Sequence, residues 1–255
     1  MKFGDFSGLA QNYSLYRPGY SQNIKGPVEG YLGKSFSGLS VADVGAGTGI
    51  FSRMLASWGA SVTSVEPNHD MRNVGIEDCK GHRITYKEGM AEHTGLDSNS
   101  VEFLSMASSF HWADFDKATT EFVRVLKPGG VFSALWNPRW IERNPKLVEI
   151  ESKVHELCPN LRRVSSGNSA FTSTLLEKLE DCGKFSDVMY LEATHVVEQS
   201  KTHYIGVWES VNDIRVQMGE KIWSEFVSYL KHRISDSEVL LTTYKTRMWL
   251  GRVRT

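Results

Sequence analysis

The chain has 255 residues, of which 40% are hydrophobic, and this is enough for one medium-sized domain with a large core. Its formal net charge of −1 and its isoelectric point near 6.7 argue against a surface that binds nucleic acid or another polyanion. Three cysteines without paired spacing, no signal peptide and no apolar run of membrane length predict a reduced, cytoplasmic protein without a membrane span.

The N-terminal 37 residues contain no clear strand pattern. Tyr13 and Tyr16 precede Arg17, and a proline follows directly. Because a proline disfavours helical backbone in the residue before it, this segment predicts a short helix that ends near Arg17.

Residues 41–49 are the most informative segment and read Val-Ala-Asp-Val-Gly-Ala-Gly-Thr-Gly. The apolar run predicts a buried parallel strand, and apolar residues at helical spacing follow from Ile50 to Trp58, with Gly59 as a helix stop. Glycine adopts unusual backbone angles and has no Cβ to block a ligand. The segment therefore predicts a strand–turn–helix unit whose turn approaches a ligand closely.

A second strand around Val62 to Val65 leads into Glu66, and Pro67 predicts the first turn of another helix. An acid at the end of this strand is well placed to accept hydrogen bonds from a ribose. If Glu66 faces only a ligand, its replacement should leave the stability of the fold unchanged. A dinucleotide fingerprint would need its third glycine at position 50, where the chain has Ile50, so an NAD(P) oxidoreductase is the weaker of the two enzyme hypotheses.

The rest of the chain continues the alternation of strands and helices and then departs from it. Residues 138–170 carry prolines and many charges and are interpreted as an insertion after the fifth strand. The predicted elements are strands at Ile84–Lys87, Val101–Ala107 and Val131–Trp136, a helix capped by Asp114 or Asp116, helices near 146–157, 172–182, 202–218 and 221–233, and strands near 188–197 and 239–252.

Several of these segments resemble, in order, the motifs of class I S-adenosylmethionine-dependent methyltransferases of the small-molecule branch called type 11. The resemblance covers about residues 6–136 and rests on VADVGAGTG at 41–49, FSGLAQNYSLYRPGY at 6–20, YKEGMAEHTGL at 86–96, ASSFHW at 107–112 and RVLKPGG at 124–130. It implies an α/β fold: a Rossmann-like, doubly wound, seven-stranded and mostly parallel sheet whose last strand is antiparallel. It also implies a single domain over 1–255, with an N-terminal lid at 1–37 and substrate-cap segments at 138–170 and 200–233.

The cofactor implied by this resemblance is S-adenosylmethionine. Asp43 is expected to hold the glycine turn, and Met90 stands where many relatives carry an acid, which leaves Glu92 as an uncertain substitute. The residues that the resemblance assigns to the cofactor are Gly45, Ala46, Gly47, Glu66, Pro67, Asn68, Met71, Met90, Ala91 and Ser108, with Tyr13 and Arg17 closing from the lid.

His111 is the candidate general base, because it follows the fourth strand and an imidazole accepts a proton near neutral pH. A structural histidine within the Phe-His-Trp turn is the alternative. Trp136, Arg139 and Trp140 are candidates for an aromatic substrate pocket, although a buried core position explains Trp136 equally well. No cluster has metal-ligand spacing, so no metal is predicted.

The resemblance implies an enzyme that methylates an oxygen or nitrogen of a small molecule, with an aromatic specialised metabolite as the expected acceptor and no nucleic-acid or membrane partner. A cofactor-binding scaffold of the same fold, or a catalyst of a non-methylating reaction, is the hypothesis from another class. The oligomeric state is not predicted.

Overall fold

The computed structural model describes residues 9–161 and 170–254, which form a seven-stranded sheet flanked by helices. The strand order is β3-β2-β1-β4-β5-β7-β6; β3, β2, β1, β4 and β5 are parallel, and β7 is antiparallel to both β5 and β6. The predicted Rossmann-like sheet with an antiparallel last strand is confirmed. The strands are β1 (Ser40–Val44), β2 (Ser61–Val65), β3 (Ile84–Lys87), β4 (Val101–Ala107), β5 (Leu126–Trp136), β6 (Phe185–Ser200) and β7 (Val239–Val253).

Helices connect these strands and cover the sheet. They are α1 (Ala10–Tyr16), α2 (Lys25–Leu32), α3 (Ile50–Ser57), α4 (His69–Asp78), α5 (Phe115–Val125), α6 (Pro145–Leu157), α7 (Ala170–Ser173), α8 (Leu175–Asp181), α9 (Lys201–Glu209) and α10 (Asn212–Arg233). Single 3₁₀ turns lie at Gln22–Ile24, Phe110–Trp112 and Ile141–Arg143.

Two separate hydrophobic clusters lie on the two faces of the sheet. One contains apolar residues of α5 and α8, such as Phe122 and Leu179, packed with Leu104 of β4. The other contains residues of α2 and α3, such as Val28 and Leu55, packed with other strand residues. The inner strands are apolar on both faces because helices cover both, as in other parallel sheets.

A third hydrophobic cluster lies in the helices of the two predicted cap segments. It joins Ile150 of α6 with Trp208 of α9 and with Phe226 and Leu230 of α10. Leu240, at the start of β7, belongs to the same cluster, so these helices have a core of their own beside the extended β6–β7 pair. Their role as a substrate cap stays a prediction. Residues 162–169 of the predicted cap segment 138–170 lie outside the described residues.

Several predicted boundaries are wrong in informative ways. Helix α4 begins at His69, because Asn68 caps it through a hydrogen bond from Met71 N; Pro67 precedes the cap instead of occupying the first turn. The helix predicted over 172–182 is two helices, α7 and α8.

Two further boundaries also differ. β5 starts at Leu126 and includes the Lys-Pro-Gly-Gly segment, with a bulge against β4. In the cap, one helix ends at Glu209, and α10 starts at Asn212 and breaks at Gly219, whose φ of 71° is left-handed. The sequence predicts a break between 218 and 221 but misses the one near residue 210.

Within the two described ranges, no helix is long and apolar enough to cross a membrane. The same residues contain no group of three or more histidine, cysteine or acidic side chains that would hold a metal ion. The first eight residues of the predicted lid lie outside the described part of the chain.

Candidate functional site

One large cavity, with a volume of about 1080 Å³, lies where the parallel strands end. The turns that follow β1, β2, β3, β4 and β5 all contribute to its wall, and so do α1, α6, α9 and β7. In open α/β sheets, the carboxyl ends of the strands are the usual place for a ligand. Every residue that the sequence analysis assigns to the cofactor lines this cavity, whereas His111 is not among its lining residues.

The glycine turn after β1 is held in a backbone shape that requires glycine. Gly45, Gly47 and Gly49 have φ values of 66°, 55° and 79°, in the left-handed region. A Cβ on Gly45 would lie 2.7 Å from Ser109 Cβ. The amides of Gly45 and Ala46 both donate to the carbonyl of Val65, at 2.8 and 3.1 Å, so the turn is tied to the end of β2.

Glu66 is buried directly after β2 and is bonded to two backbone amides. One carboxylate oxygen accepts from Gly47 N at 2.8 Å, and the other accepts from Asn68 N at 2.8 Å. Burial raises the pKa of Glu66, and the two N–H groups offset part of that rise. Since a carboxylate has about four lone-pair sites, Glu66 retains acceptor capacity toward the cavity. It therefore holds the turn and also faces the cavity.

Asp43 lies beneath the turn in a fully buried network of serine hydroxyls. Its two oxygens accept from Ser52 Oγ at 2.6 Å and from Ser105 Oγ at 2.9 Å, and Ser64 Oγ donates to Ser52 Oγ at 2.8 Å. Burial raises the pKa of Asp43 to about 6, although the serine hydrogen bonds lower it in part. This network joins β1, β2, α3 and β4 at the base of the site.

The walls beside Glu66 are largely apolar. Met71 is buried under the turn, and its Cε would lie 3.1 Å from a Cβ on Gly47. Met90 is half exposed and Ala91 is buried, in a tight turn closed by backbone bonds between Met90 and His93. The Glu92 carboxylate accepts from Asp114 N at 2.7 Å, so Glu92 already supports the start of α5.

The N-terminal segment crosses the cavity and attaches to the sheet at Ser108. Ser108 has a left-handed φ of 56°, and its Oγ lies 2.9 Å from the Tyr20 hydroxyl. Such strain in a residue other than glycine is concentrated at functional sites. Tyr20 also lines the cavity and was not among the residues predicted for the site. The sequence feature that could have identified Tyr20 is its position at the end of the Arg-Pro-Gly-Tyr segment.

Helix α1 docks on the cap helix α9. The Tyr16 ring lies over Gly206, where a Cβ would approach Tyr16 Cγ to 2.4 Å. His203 Nε2 lies 3.0 Å from the Tyr16 carbonyl, and Arg17 Nη2 donates to the carbonyl of Ser210 at 3.4 Å. The Arg17 guanidinium also lies 4.9 Å from the centre of the Tyr13 ring. The N-terminal segment and the cap thus form a continuous roof over the cavity.

The imidazole of His111 is turned toward aromatic side chains. Its Nδ1 accepts from the Trp136 indole N–H at 3.4 Å, and its ring packs 4.5 Å from the Trp112 ring. Burial lowers the pKa of His111 to about 4, so the imidazole is neutral at pH 7. This arrangement favours the structural alternative, and a catalytic role for His111 stays a prediction without support from the geometry.

The far end of the cavity is built from segments that are distant in sequence. Arg139 and Trp140 follow β5, Glu151 comes from α6, Val207 from α9 and Tyr244 from β7. Trp136, Arg139 and Trp140, the residues predicted for a substrate pocket, all line the cavity. Glu151 and Tyr244 carried no local signal, because only the packing of the cap on β7 brings them to this wall.

A family model described as a methyltransferase domain matches residues 42–134 of the chain. An uncharacterized methyltransferase of Mycobacterium tuberculosis is 37% identical over 99 residues, which is 39% of this chain and 40% of that protein. The chain therefore matches about two fifths of the length of its mycobacterial relatives. An uncharacterized methyltransferase of Schizosaccharomyces pombe is 28% identical over 213 residues, which covers 75% of this chain and 81% of the yeast protein.

Among solved structures, a protein of Anaeromyxobacter dehalogenans assigned as a type II methyltransferase superimposes with a TM-score of 0.71. It is 23% identical, and the match covers 94% of this chain and 99% of the other. At 23% identity, this structural similarity supports the fold alone.

Proposed function

We propose that the chain, whose residues 42–134 match the methyltransferase-domain family model, transfers a methyl group from S-adenosylmethionine to an oxygen or nitrogen of a small molecule. The observation that carries the proposal is the joint placement of the left-handed glycine turn and the Glu66 carboxylate on one cavity wall. A specialised metabolite with an aromatic ring is the acceptor we expect, because Trp112, Trp136 and Trp140 line the same cavity.

The residues present fit the cofactor. A turn of glycines lets a ligand approach the backbone, and Glu66 offers free lone pairs to the two ribose hydroxyls. Asn68, Met71 and Ala91 would flank the adenine. Arg17 lines the cavity and forms no ion pair among the described residues, and its Nε is buried without a hydrogen-bond partner. The Arg17 guanidinium would pair with the carboxylate of the cofactor.

When bound, S-adenosylmethionine would supply an electrophilic methyl group on its sulfonium sulfur, with the thioether S-adenosylhomocysteine as the leaving group. The residues of the chain contribute by orienting both reactants and by excluding water under the α1–α9 roof. A base is required only for an acceptor that must lose a proton. His111 remains the predicted base, although its pKa near 4 makes it a weak one.

The test of this function is a pair of calorimetric titrations. We expect S-adenosylmethionine and S-adenosylhomocysteine to bind in the micromolar range, and NAD to give no measurable heat. Binding of NAD without a response to either sulfur compound would refute the assignment. Incubation with methyl-labelled S-adenosylmethionine and a metabolite mixture then separates a methyltransferase from a scaffold, because only the former yields labelled product.

The roof over the cavity leads to a second prediction. In Gly206→Ala, the added Cβ meets the Tyr16 ring, so α1 should separate from α9 despite the higher helix propensity of alanine. We expect faster amide exchange over Tyr13–Tyr20 and cofactor binding weaker by about 1 kcal/mol. In the wild type, the same residues should gain protection when cofactor and acceptor bind.

The matched control for this experiment is Gly30→Ala in α2, where a Cβ meets nothing within 4 Å. It should leave both amide exchange and affinity unchanged. Equal protection of Tyr13–Tyr20 in all three proteins, with and without ligands, would contradict the lid.

A further inference from the structure

The segment after β5 runs alongside β7 and brings Arg139 under the cap. Trp140 N donates to the carbonyl of Thr243 at 2.7 Å, and Lys245 N donates to the carbonyl of Pro138 at 2.9 Å. Between these two bonds, Arg139 and Tyr244 form an antiparallel bridge. This backbone pairing fixes where the Arg139 side chain starts, at the junction of the sheet and the cap helices.

The guanidinium of Arg139 is enclosed by groups from three other elements. Glu151 of α6 approaches to 3.6 Å, and the Trp208 ring of α9 lies 4.2 Å from the guanidinium carbon. The Arg139 side chain is only 14% exposed. Burial alone would lower the pKa of Arg139, but Tyr204, Glu151 and Tyr244 raise it above its usual value, so the group stays cationic.

The Arg139 guanidinium keeps N–H donors for a ligand at this end of the cavity. A guanidinium carries five N–H donors, whereas the nearest Glu151 oxygen lies 3.6 Å from Nη2, beyond hydrogen-bond distance, and the Tyr204 hydroxyl is a further acceptor beside it, so most of the donors stay available to a ligand. The Tyr244 hydroxyl also has no hydrogen-bond partner among the described residues, and Tyr244 is only 2% exposed. Both Arg139 and Tyr244 line the cavity.

N–H donors that a buried guanidinium leaves unused favour binding of a ligand with several oxygen acceptors. A planar guanidinium matches a carboxylate through two parallel N–H···O bonds, and such charge-assisted pairs give both affinity and orientation. The guanidinium of Arg139 is already stacked on the Trp208 ring, so little rotamer freedom would be lost when a ligand binds.

We propose that Arg139, assisted by the Tyr244 hydroxyl, binds a carboxylate of the methyl acceptor as an anchoring group, so that the acceptor is a small aromatic acid. This inference rests on the proposed function, since it concerns the acceptor end of the same cavity. The aromatic part of the acceptor would lie along Trp136 and Trp140, which line the cavity beside Arg139.

The test measures binding of benzoate, benzamide and phenyl phosphate by calorimetry to the protein saturated with S-adenosylhomocysteine. We expect benzoate to bind about tenfold or more tightly than benzamide, the scale for charge-assisted hydrogen bonds. Arg139→Gln should abolish this preference. Tyr244→Phe removes only a hydroxyl and should reduce it severalfold, so this variant tests the proposal even if Arg139→Gln folds poorly.

Arg233→Gln is the matched control, because Arg233 pairs with Glu149 on the outside of the same cap. It should leave the preference for benzoate unchanged. Equal or undetectable binding of benzoate and benzamide, a preference that survives both cavity variants, or tighter binding of phenyl phosphate would each overturn the carboxylate assignment. Failure of S-adenosylhomocysteine itself to bind would instead refute the proposed function.

Discussion

Replacing Glu66 by alanine is expected to weaken binding of S-adenosylmethionine by about 1.5–3 kcal/mol, the scale for hydrogen bonds to a charged group. The carboxylate is buried and fixed by Gly47 N and Asn68 N, so it is already oriented before a ligand arrives. Calorimetric titration of the folded variant measures the effect. Unchanged affinity would mean that Glu66 is not the ribose-binding residue.

The same contacts change the expectation for stability. The sequence suggests that Glu66 faces only a ligand and that its loss leaves the fold unaffected, whereas the structure shows it accepting from two backbone amides. We therefore expect Glu66→Ala to lower the free energy of unfolding by about 1–2 kcal/mol. Glu88→Ala is the control: Glu88 follows β3, is exposed and pairs with Arg72, so neither affinity nor stability should change appreciably.

Replacing Asp43 by asparagine is expected to stabilise the protein at neutral pH relative to the wild type, by up to about 3 kcal/mol. The pKa of Asp43 is raised by burial from 3.8 to about 6 in the folded state. The folded state therefore favours the protonated carboxyl. The stabilising contribution of that proton is complete below about pH 4 and is lost as the pH rises through 6.

Asparagine stays neutral across this range, and its amide can still bond to both Ser52 and Ser105. The difference in unfolding free energy between the variant and the wild type should thus grow between pH 4 and pH 7, as measured by urea unfolding at several pH values. Asp181→Asn, at the exposed end of α8, controls for the general effect of removing a charge. A difference that is constant with pH would show that Asp43 does not titrate in this window.

The turn and the acid of the proposed cofactor site could be predicted from the sequence because both belong to one local unit. From Ser40 to Glu66 the chain makes a strand, a helix and a second parallel strand, and such a unit has one handedness and one ligand edge. The glycines at 45, 47 and 49 were informative for the same reason, since their left-handed φ values are local properties of the backbone.

Local sequence patterns predicted the order of most strands and helices and the residues of the glycine turn, whereas the class of the sheet was predicted from the resemblance to a known family. Tertiary packing sets which way the side chains outside that unit point. It turned His111 toward Trp136, because the 3₁₀ turn at Phe110–Trp112 buries the imidazole. It also assembled the Arg139–Glu151–Tyr244 end of the cavity, because those residues meet only when the cap packs on β7, a contact between segments far apart in the chain.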